Sequence, residues 1–583
     1  MQKVAPDFTV HRHEAAVDAP VSGGRPIVSP RPLSGGASGV RPSVLDGGFR
    51  LSRRVASALS RATDAQLALL ISAVLFVIGA WPLTLAEVPP LQDLPNHLAT
   101  TTVILHPERY PEFIFNGFFK TNSVLFTWML LVGRVVGVNA AARLFVLIVL
   151  ALGAVAFPRF ALSFGGRRRM IVAAFFQWPM VHHWFVSMGM LDFAMGVPLA
   201  TLLLVLLNDQ RRTPTWGRGV SIALLAVLTW HAHVFPLLVV HLLMAVHIVT
   251  RGTWRERGSQ AVALLSPLLP SSALVLKSLW VHFTEPVGAM TGYVSLGRML
   301  PPWELLYNLW AEWFYGFTWL EIATLVPCLA MGLWALYRWR EEVPFFGPVA
   351  FAVLGAFYLF TPYVATNWFH VNSRFIPFLW LAMTVRLPEQ LPRRMFGVLG
   401  VCAASYAVGM GVDYVRLERD LDRFTAGLSV VPEGSNLLPL VFRSKGTSQN
   451  TRSLLHAWGF YVVQKLTSAP LLFAHSRSFP VMYREPPPVQ FNHLVLEGFA
   501  PSMGSPDRVC DELRSDGVAT PDCGAAWRAR WAEFWSQAEP RFDHVLLWSA
   551  PREVMSVVPA DYRVVFQKDE LTVLERSSVV SSQ

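Results

Sequence analysis

Long apolar runs alternate with short basic clusters over most of the chain. Runs at 67–86, 141–163, 191–207 and 397–412 are long enough, or nearly so, to cross about 30 Å of hydrocarbon. Between the runs stand Arg53 and Arg54; Arg167, Arg168 and Arg169; Arg211 and Arg212; Arg251, Arg255 and Arg257; Arg338 and Arg340; and Arg393 and Arg394. Such clusters mark the cytoplasmic ends of membrane spans. One layout puts all of them on that side. It predicts about eleven crossings, at 67–86, 141–163, 170–187, 191–207, 219–232, 234–249, 260–280, 319–337, 345–362, 375–388 and 395–413. The N-terminus is then inside and 414–583 outside.

One apolar stretch does not fit as a span. "SVLFTWMLLVGRVVGV", 123–138, is short and carries Arg134, and counting it would move every later cluster to the wrong side. It is expected to lie at the outer interface or to be partly re-entrant, inside a large outer loop, 87–140. A second outer loop, 281–317, is dense in Trp and Tyr, as segments at the headgroup level are. Residues 1–66 are rich in Pro, Gly, Ser and Arg and read as a disordered cytoplasmic tail. No secretory signal is expected, because the first apolar run comes late and is long enough to span.

From 414 onward the composition turns polar. "FDHVLLWSA" and "YRVVFQKDELTVLER" read as strands and "AAWRARWAEFWSQA" as a helix, by their periodicity. The fold class expected is an α-helical polytopic membrane protein, 67–413, followed by a soluble α/β domain, 414–583, outside the membrane. No internal repeat or inverted pair of broken helices, the pattern that favours a secondary transporter, is evident.

Composition agrees. Of 583 residues 53% are hydrophobic and 15% charged, where soluble proteins carry about 25% charged. The net charge of +10 comes from arginines between apolar runs, so it sets topology and argues against a nucleic-acid partner. Cys328 and Cys402 sit in apolar runs and read as packing residues. Cys510 and Cys523, in the polar C-terminal region, are predicted to pair if that region faces an oxidising compartment.

The histidines His231, His233, His241 and His247 lack zinc-finger or HExxH spacing, so no metal site is assigned to them and they read as packing or interfacial residues. Phosphate loops and a GxSxG elbow are absent, which excludes an ATP-driven pump by itself. Asp93 stands apart. It lies just past the first span in "EVPPLQDLPNHLATTTVILHP", with His97 close behind. A carboxylate held against the membrane by apolar helices is partly desolvated, which raises its pKa and improves it as a base. The plainer reading is a solvated loop aspartate.

The layout resembles the GT-C superfamily of membrane glycosyltransferases, which use polyprenyl-phosphate-linked sugars. These carry an acidic residue in a long first outer loop, juxtamembrane helices, and a second span ending in a Gly-Arg-Arg type turn. Here the counterparts are "QDLPNHLA", the segment 123–138, and "NAAARLFVLIVLALGAVAFPRFALSFGGRRRM". The resemblance covers about 67–413 in architecture. It implies Asp93 as general base and Asp192, in "HHWFVSMGMLDFAMG", as a second carboxylate. It further implies His97, His182 and His183 as substrate-binding residues, and Arg374, in "TNWFHVNSRFIPFLW", as the residue holding the lipid phosphate. An interfacial snorkelling role is the alternative for Arg374. The first-loop acidic pair common in that superfamily is reduced to Asp93 alone, flanked by Gln92 and Leu94. No cofactor is called for, and a divalent metal is left open.

The expected function is transfer of a sugar, with inversion, from a polyprenyl-phosphate carrier to a glycan, lipid or protein acceptor at the outer face of an inner (plasma) membrane. The partners are that donor, the acceptor and the lipid bilayer. A non-enzymatic transporter or lipid flippase is the alternative; it would need ionisable residues deep in several spans, with Lys277 and Arg134 as candidates. An assembly protein is a third reading, and it leaves the polar first loop unexplained.

Overall fold

The structure, a computed structural model, describes residues 61–284, 297–313, 319–365, 368–447, 451–474, 476–518 and 521–577. Most of the expected cytoplasmic tail, with Arg53 and Arg54, and the middle of the second outer loop lie outside the described residues. In chain order the first helices are α1 (Asp64–Ala80), α2 (Leu94–Leu105), α3 (Val124–Val136), α4 (Val138–Val181), α5 (Leu191–Arg212), α6 (Trp216–Ala232) and α7 (Val234–Thr250). There follow α8 (Trp254–Leu265), α9 (Leu269–Thr284), α10 (Pro302–Ala311), α11 (Trp319–Thr324), α12 (Val326–Tyr337), α13 (Pro348–Phe360), α14 (Ile376–Thr384) and α15 (Arg393–Thr425).

Every segment expected to cross the membrane carries helix. Among the described residues six stretches are long and apolar enough to do so alone: Asp64–Leu85, Val138–Ser187, Leu191–Arg212, Trp254–Thr284, Trp319–Tyr337 and Arg393–Ser429. Large apolar side chains such as Leu69, Leu224, Leu276 and Leu333 point outward, a surface suited to lipid rather than water. The chain is a multi-pass membrane protein.

The helix α4 is two helices in one. Gly166 takes φ +74° and ψ 179°, and the side-chain amide of Gln177 donates to the carbonyl of Phe157 at 3.0 Å. In an unbroken helix those residues would be about 30 Å apart. The chain therefore reverses at the "GGRRR" turn, where only glycine takes such a backbone readily. The expected spans 141–163 and 170–187 are the two arms.

Four of the basic clusters lie at one end of the bundle. Arg212 donates to Ser163 O at 3.1 Å, Arg169 to Leu387 O at 2.9 Å and Arg338 to Arg386 O at 3.4 Å, while Arg251 pairs with Glu342. Helix α3 has 13 residues, about 20 Å of length, too short for about 30 Å of hydrocarbon. It buries Leu125, Phe126 and Met129 on one face and exposes Leu131 and Val135 on the other.

The last long helix runs unbroken through 413 and 414, so the polar region grows directly out of a span. It comprises β2 (Leu437–Val441), α16 (Gly459–Lys465), β3 (Val481–Tyr483), α17 (His493–Ser502), α18 (Pro506–Ser515), α19 (Cys523–Ala538), β4 (His544–Trp548), β5 (Tyr562–Lys568) and β6 (Leu571–Arg576). The sheet order is β2-β4-β6-β5, with β2 parallel to β4 and the other pairs antiparallel. The first expected strand stretch contains β4, the second divides into β5 and β6, and the expected helix falls within α19. A separate pairing was not foreseen: β1 (Phe113–Phe115), in the first long loop, lies antiparallel to β3. The loop and the C-terminal region thus share a sheet.

Cys510 and Cys523 form a disulfide, with Cα atoms 5.1 Å apart, the pairing that the sequence suggested. Closing a loop of this size stabilises by about 3 kcal/mol. Replacing both cysteines by serine is expected to lower the urea midpoint of the C-terminal region accordingly; an unchanged midpoint would show that the bond contributes nothing.

Candidate active site

The end opposite the arginines is built by the loop before α2. The backbone N–H groups of Gln92 and Asp93 donate to Ser187 O at 3.1 Å and Met188 O at 3.0 Å. This brings Asp93 against the turn that joins the α4 hairpin to α5. Gly189 in that turn has φ +80°, and a Cβ there would lie 2.8 Å from the Asp93 nitrogen. Asp93 is the N-cap residue of α2 yet makes no side-chain cap, unlike most aspartates there. Its carboxylate is turned elsewhere.

It meets His456. Oδ1 of Asp93 lies 3.0 Å from Nδ1 of His456, and Nε2 of His456 lies 3.1 Å from Oε1 of Glu497. The side chains are 13%, 3% and 15% exposed, in that order. Burial pushes the His456 imidazole down, but Glu497 first, then Asp93, reverse this and hold it up, to about 9. For Asp93 burial acts upward, as expected from sequence. The contact with His456 outweighs it, helped by His97 and Gln92, and the group ends below its ordinary value. This corrects the expected raised carboxylate: Asp93 is a firmly ionised group of modest basicity. The imidazole's contribution to stability is complete below pH 6.5 and fades as pH rises through about 9. That of Asp93 is present above pH 3.8 and is lost as pH falls below that ordinary value.

The rest of the motif binds the C-terminal region as well. Gln92 Oε1 accepts from the Arg452 backbone at 2.9 Å. Asn96 donates to Leu471 O at 2.9 Å and accepts from Phe473 N at 3.3 Å. His97 Nε2 lies 3.2 Å from Gly189 O, and its ring meets Phe126 and Phe473 edge-on. Its Nδ1 is buried without a hydrogen-bond partner among the described residues. Burial first of all holds this imidazole below its ordinary value, so it is neutral with a lone pair on Nδ1. The approach is tightest at Gly459, where a Cβ would run into the Pro95 backbone. Overpacking of this kind costs roughly 1–3 kcal/mol. Gly459→Ala is expected to lower the thermal midpoint and to free this seam to protease; a protease map identical to the parent's would count against it.

The other candidates surround the same turn. Asp192, at the start of α5, accepts the backbone N–H of Leu125 at 3.0 Å. It therefore anchors the N-terminus of α3, where a carboxylate also suits the helix dipole. His182 is buried between Gly79 O at 2.8 Å and Tyr414 OH at 3.2 Å. His183 stacks on Trp313 at 4.4 Å. Arg374 is 8% exposed, with its guanidinium 5.5 Å from the rings of both Phe193 and Trp368. Its Nη1 lies 2.7 Å from His233 Nε2, while Nδ1 of His233 accepts the N–H of Phe235. Arg374 has no carboxylate within ion-pair distance and an unbonded Nε, among the described residues. Nearby, Glu312 takes Tyr363 OH and His370 Nδ1, each at 3.0 Å, and the Ser373 hydroxyl. Among the described residues no three His, Cys, Asp or Glu side chains form a metal-binding group.

The structure thus joins Asp93 and His97 to the turn before Asp192, and sets Arg374 beyond Phe193. It gives Asp192 and His182 bonds within the protein. Sequence reasoning missed His456, Glu497, Glu312 and His370, which belong to no motif and are found only through tertiary contact. It read His233 as a packing residue; its place before α7, beside Arg374, had no local signal.

No family model matches the chain, and no curated protein matches its sequence. Among solved structures it is similar to ArnT from Cupriavidus metallidurans in the apo state, at 13% identity and a TM-score of 0.48, over 88% of this chain and 99% of that one. It is similar too to the same protein bound to undecaprenyl phosphate, at 13% identity and a TM-score of 0.47, over 87% and 97%.

Proposed function

We propose that the protein is an integral-membrane glycosyltransferase that moves a sugar from a polyprenyl-phosphate carrier to an acceptor hydroxyl at the face opposite the arginine clusters. One observation carries this reading: a buried guanidinium with no carboxylate partner among the described residues packs on Phe193, a few residues past the turn whose Met188 carbonyl holds the ionised Asp93. A buried cation without a counter-charge is costly, and a phosphate offers the missing charge with bidentate geometry. A lipid-linked phosphate enters such a position from the bilayer without leaving it.

In the reaction, Asp93 takes the proton from the acceptor hydroxyl as that oxygen bonds to the anomeric carbon. The bond from that carbon to the phosphate oxygen breaks, and its electron pair leaves with the polyprenyl phosphate. Arg374 stabilises the charge that grows there, with His183 as a neighbouring contact. His97 offers its free Nδ1 to a second hydroxyl. A single displacement of this kind inverts the anomeric centre. The outward face would be the extracytoplasmic side of the inner membrane, where the Cys510–Cys523 bond can persist.

The test is transfer by the purified protein in liposomes, supplied with a panel of polyprenyl-phosphate sugars and total envelope glycolipid as acceptor. Sugar released to acceptor with one donor supports the reading. Failure with every donor, together with no binding of polyprenyl phosphate itself, would sink it.

A further inference from the structure

The proton acceptor is assembled from two distant parts of the chain. Both contacts of the Asp93 carboxylate among the described residues fall on Oδ1: a close charge contact with His456 Nδ1 at 3.0 Å, off hydrogen-bond alignment, and a hydrogen bond from Gln92 Nε2 at 3.3 Å; Oδ2 carries no hydrogen bond among the described residues. His456 stands on the turn before α16 and is gripped from its far side by Glu497 of α17. Its other neighbours are His97 of α2, whose imidazole its charge helps to hold down, and the Phe473 ring, edge-on at 4.9 Å. His493, on α17, lies behind that ring. Only Asp93 and Glu497 among these are acidic.

We propose that His456, held by Glu497, is the positioning residue for Asp93: it fixes Oδ1 and keeps the carboxylate ionised, which leaves Oδ2 for the acceptor hydroxyl. This rests on the transferase reading above. The physical need is plain. A carboxylate buried at a membrane face drifts toward its protonated form, which accepts no proton. A cation at 3.0 Å prevents that, and a second carboxylate behind it keeps the cation charged across the working pH. The C-terminal region is then part of the active site and not an appendage. The site is complete only when that region is docked.

His456→Gln keeps a polar group of similar reach without the charge. Loss of a neighbouring opposite charge moves a carboxylate by about 1–3 pH units. The acid limb of kcat against pH is therefore expected to rise by that amount, with KM little changed. A purely structural role would lower yield or melting temperature and leave the limb where it was, and an unmoved limb overturns the proposal. Should that variant not fold, the parent itself is decisive. Nitrogen-15 NMR of its histidines should show His456 protonated well above pH 6.5. In Glu497→Gln that titration should fall by about one unit or more. His456 titrating at or below its ordinary value, or unmoved by Glu497→Gln, overturns the proposal as well. A high titration in a protein that transfers no sugar would instead remove the transferase reading and leave the ion pair as a docking bond.

Discussion

Asp93→Asn is expected to lower turnover by about 10²–10⁴-fold, the usual contribution of a general base. The amide keeps the size of the side chain, and its oxygen can still face Nδ1 of His456. Glu497 remains on the other nitrogen, at 3.1 Å, so the imidazole does not become an unpaired buried charge. Folding should suffer by no more than a hydrogen bond to a charged group, about 1.5–3 kcal/mol. Donor affinity should stay near the parent's, because the phosphate is held elsewhere. The competing account makes Asp93 a seam residue that ties the C-terminal region to α2. It predicts the opposite split: a lower melting temperature and an unchanged rate per folded molecule. Initial rates normalised to folded protein, measured beside a thermal melt, separate the two. A parental rate would return Asp93 to the seam.

Much of the scaffold was legible because hydrophobic runs and arginine clusters are local signals. The reversal at Gly166 was announced by "GGRRR", and the short α3 by its length and Arg134. What stayed hidden depends on contacts between remote segments. "QDLPNHLA" reads as one polar motif in a loop. The structure divides its work: Gln92, Asp93 and Asn96 all bond to the region from Arg452 to Phe473. No periodicity reveals that His456 will face Asp93, so the sign of the pKa shift was wrong. Burial was foreseen correctly, and the cation that outweighs it was not. Asp192 shows the same gap. A carboxylate in the first turn of a helix ordinarily suits its own helix, and here it caps a different one.

Arg374→Gln is expected to move stability and donor binding in opposite directions. In the donor-free protein the guanidinium is buried, with its Nε unbonded and no carboxylate beside it among the described residues. Its positive end faces Nε2 of His233, at 2.7 Å, and that imidazole cannot accept on both nitrogens while holding the Phe235 amide. A hydrogen bond from Nη2 to Phe369 O at 3.4 Å and the rings of Phe193 and Trp368 return part of the lost hydration, but a buried charge without a counter-charge still costs stability. Glutamine fits the space without the charge, so the melting temperature should hold or rise. Binding should respond the other way. A hydrogen bond to a charged group contributes about 1.5–3 kcal/mol, which corresponds to roughly a 10- to 150-fold weaker Kd for polyprenyl phosphate. The two readouts are a thermal melt of the free protein and a titration with polyprenyl phosphate in detergent. A snorkelling arginine that only anchors the helix end would show neither change. A variant that melts lower and binds the lipid phosphate as the parent does would assign Arg374 to the fold alone.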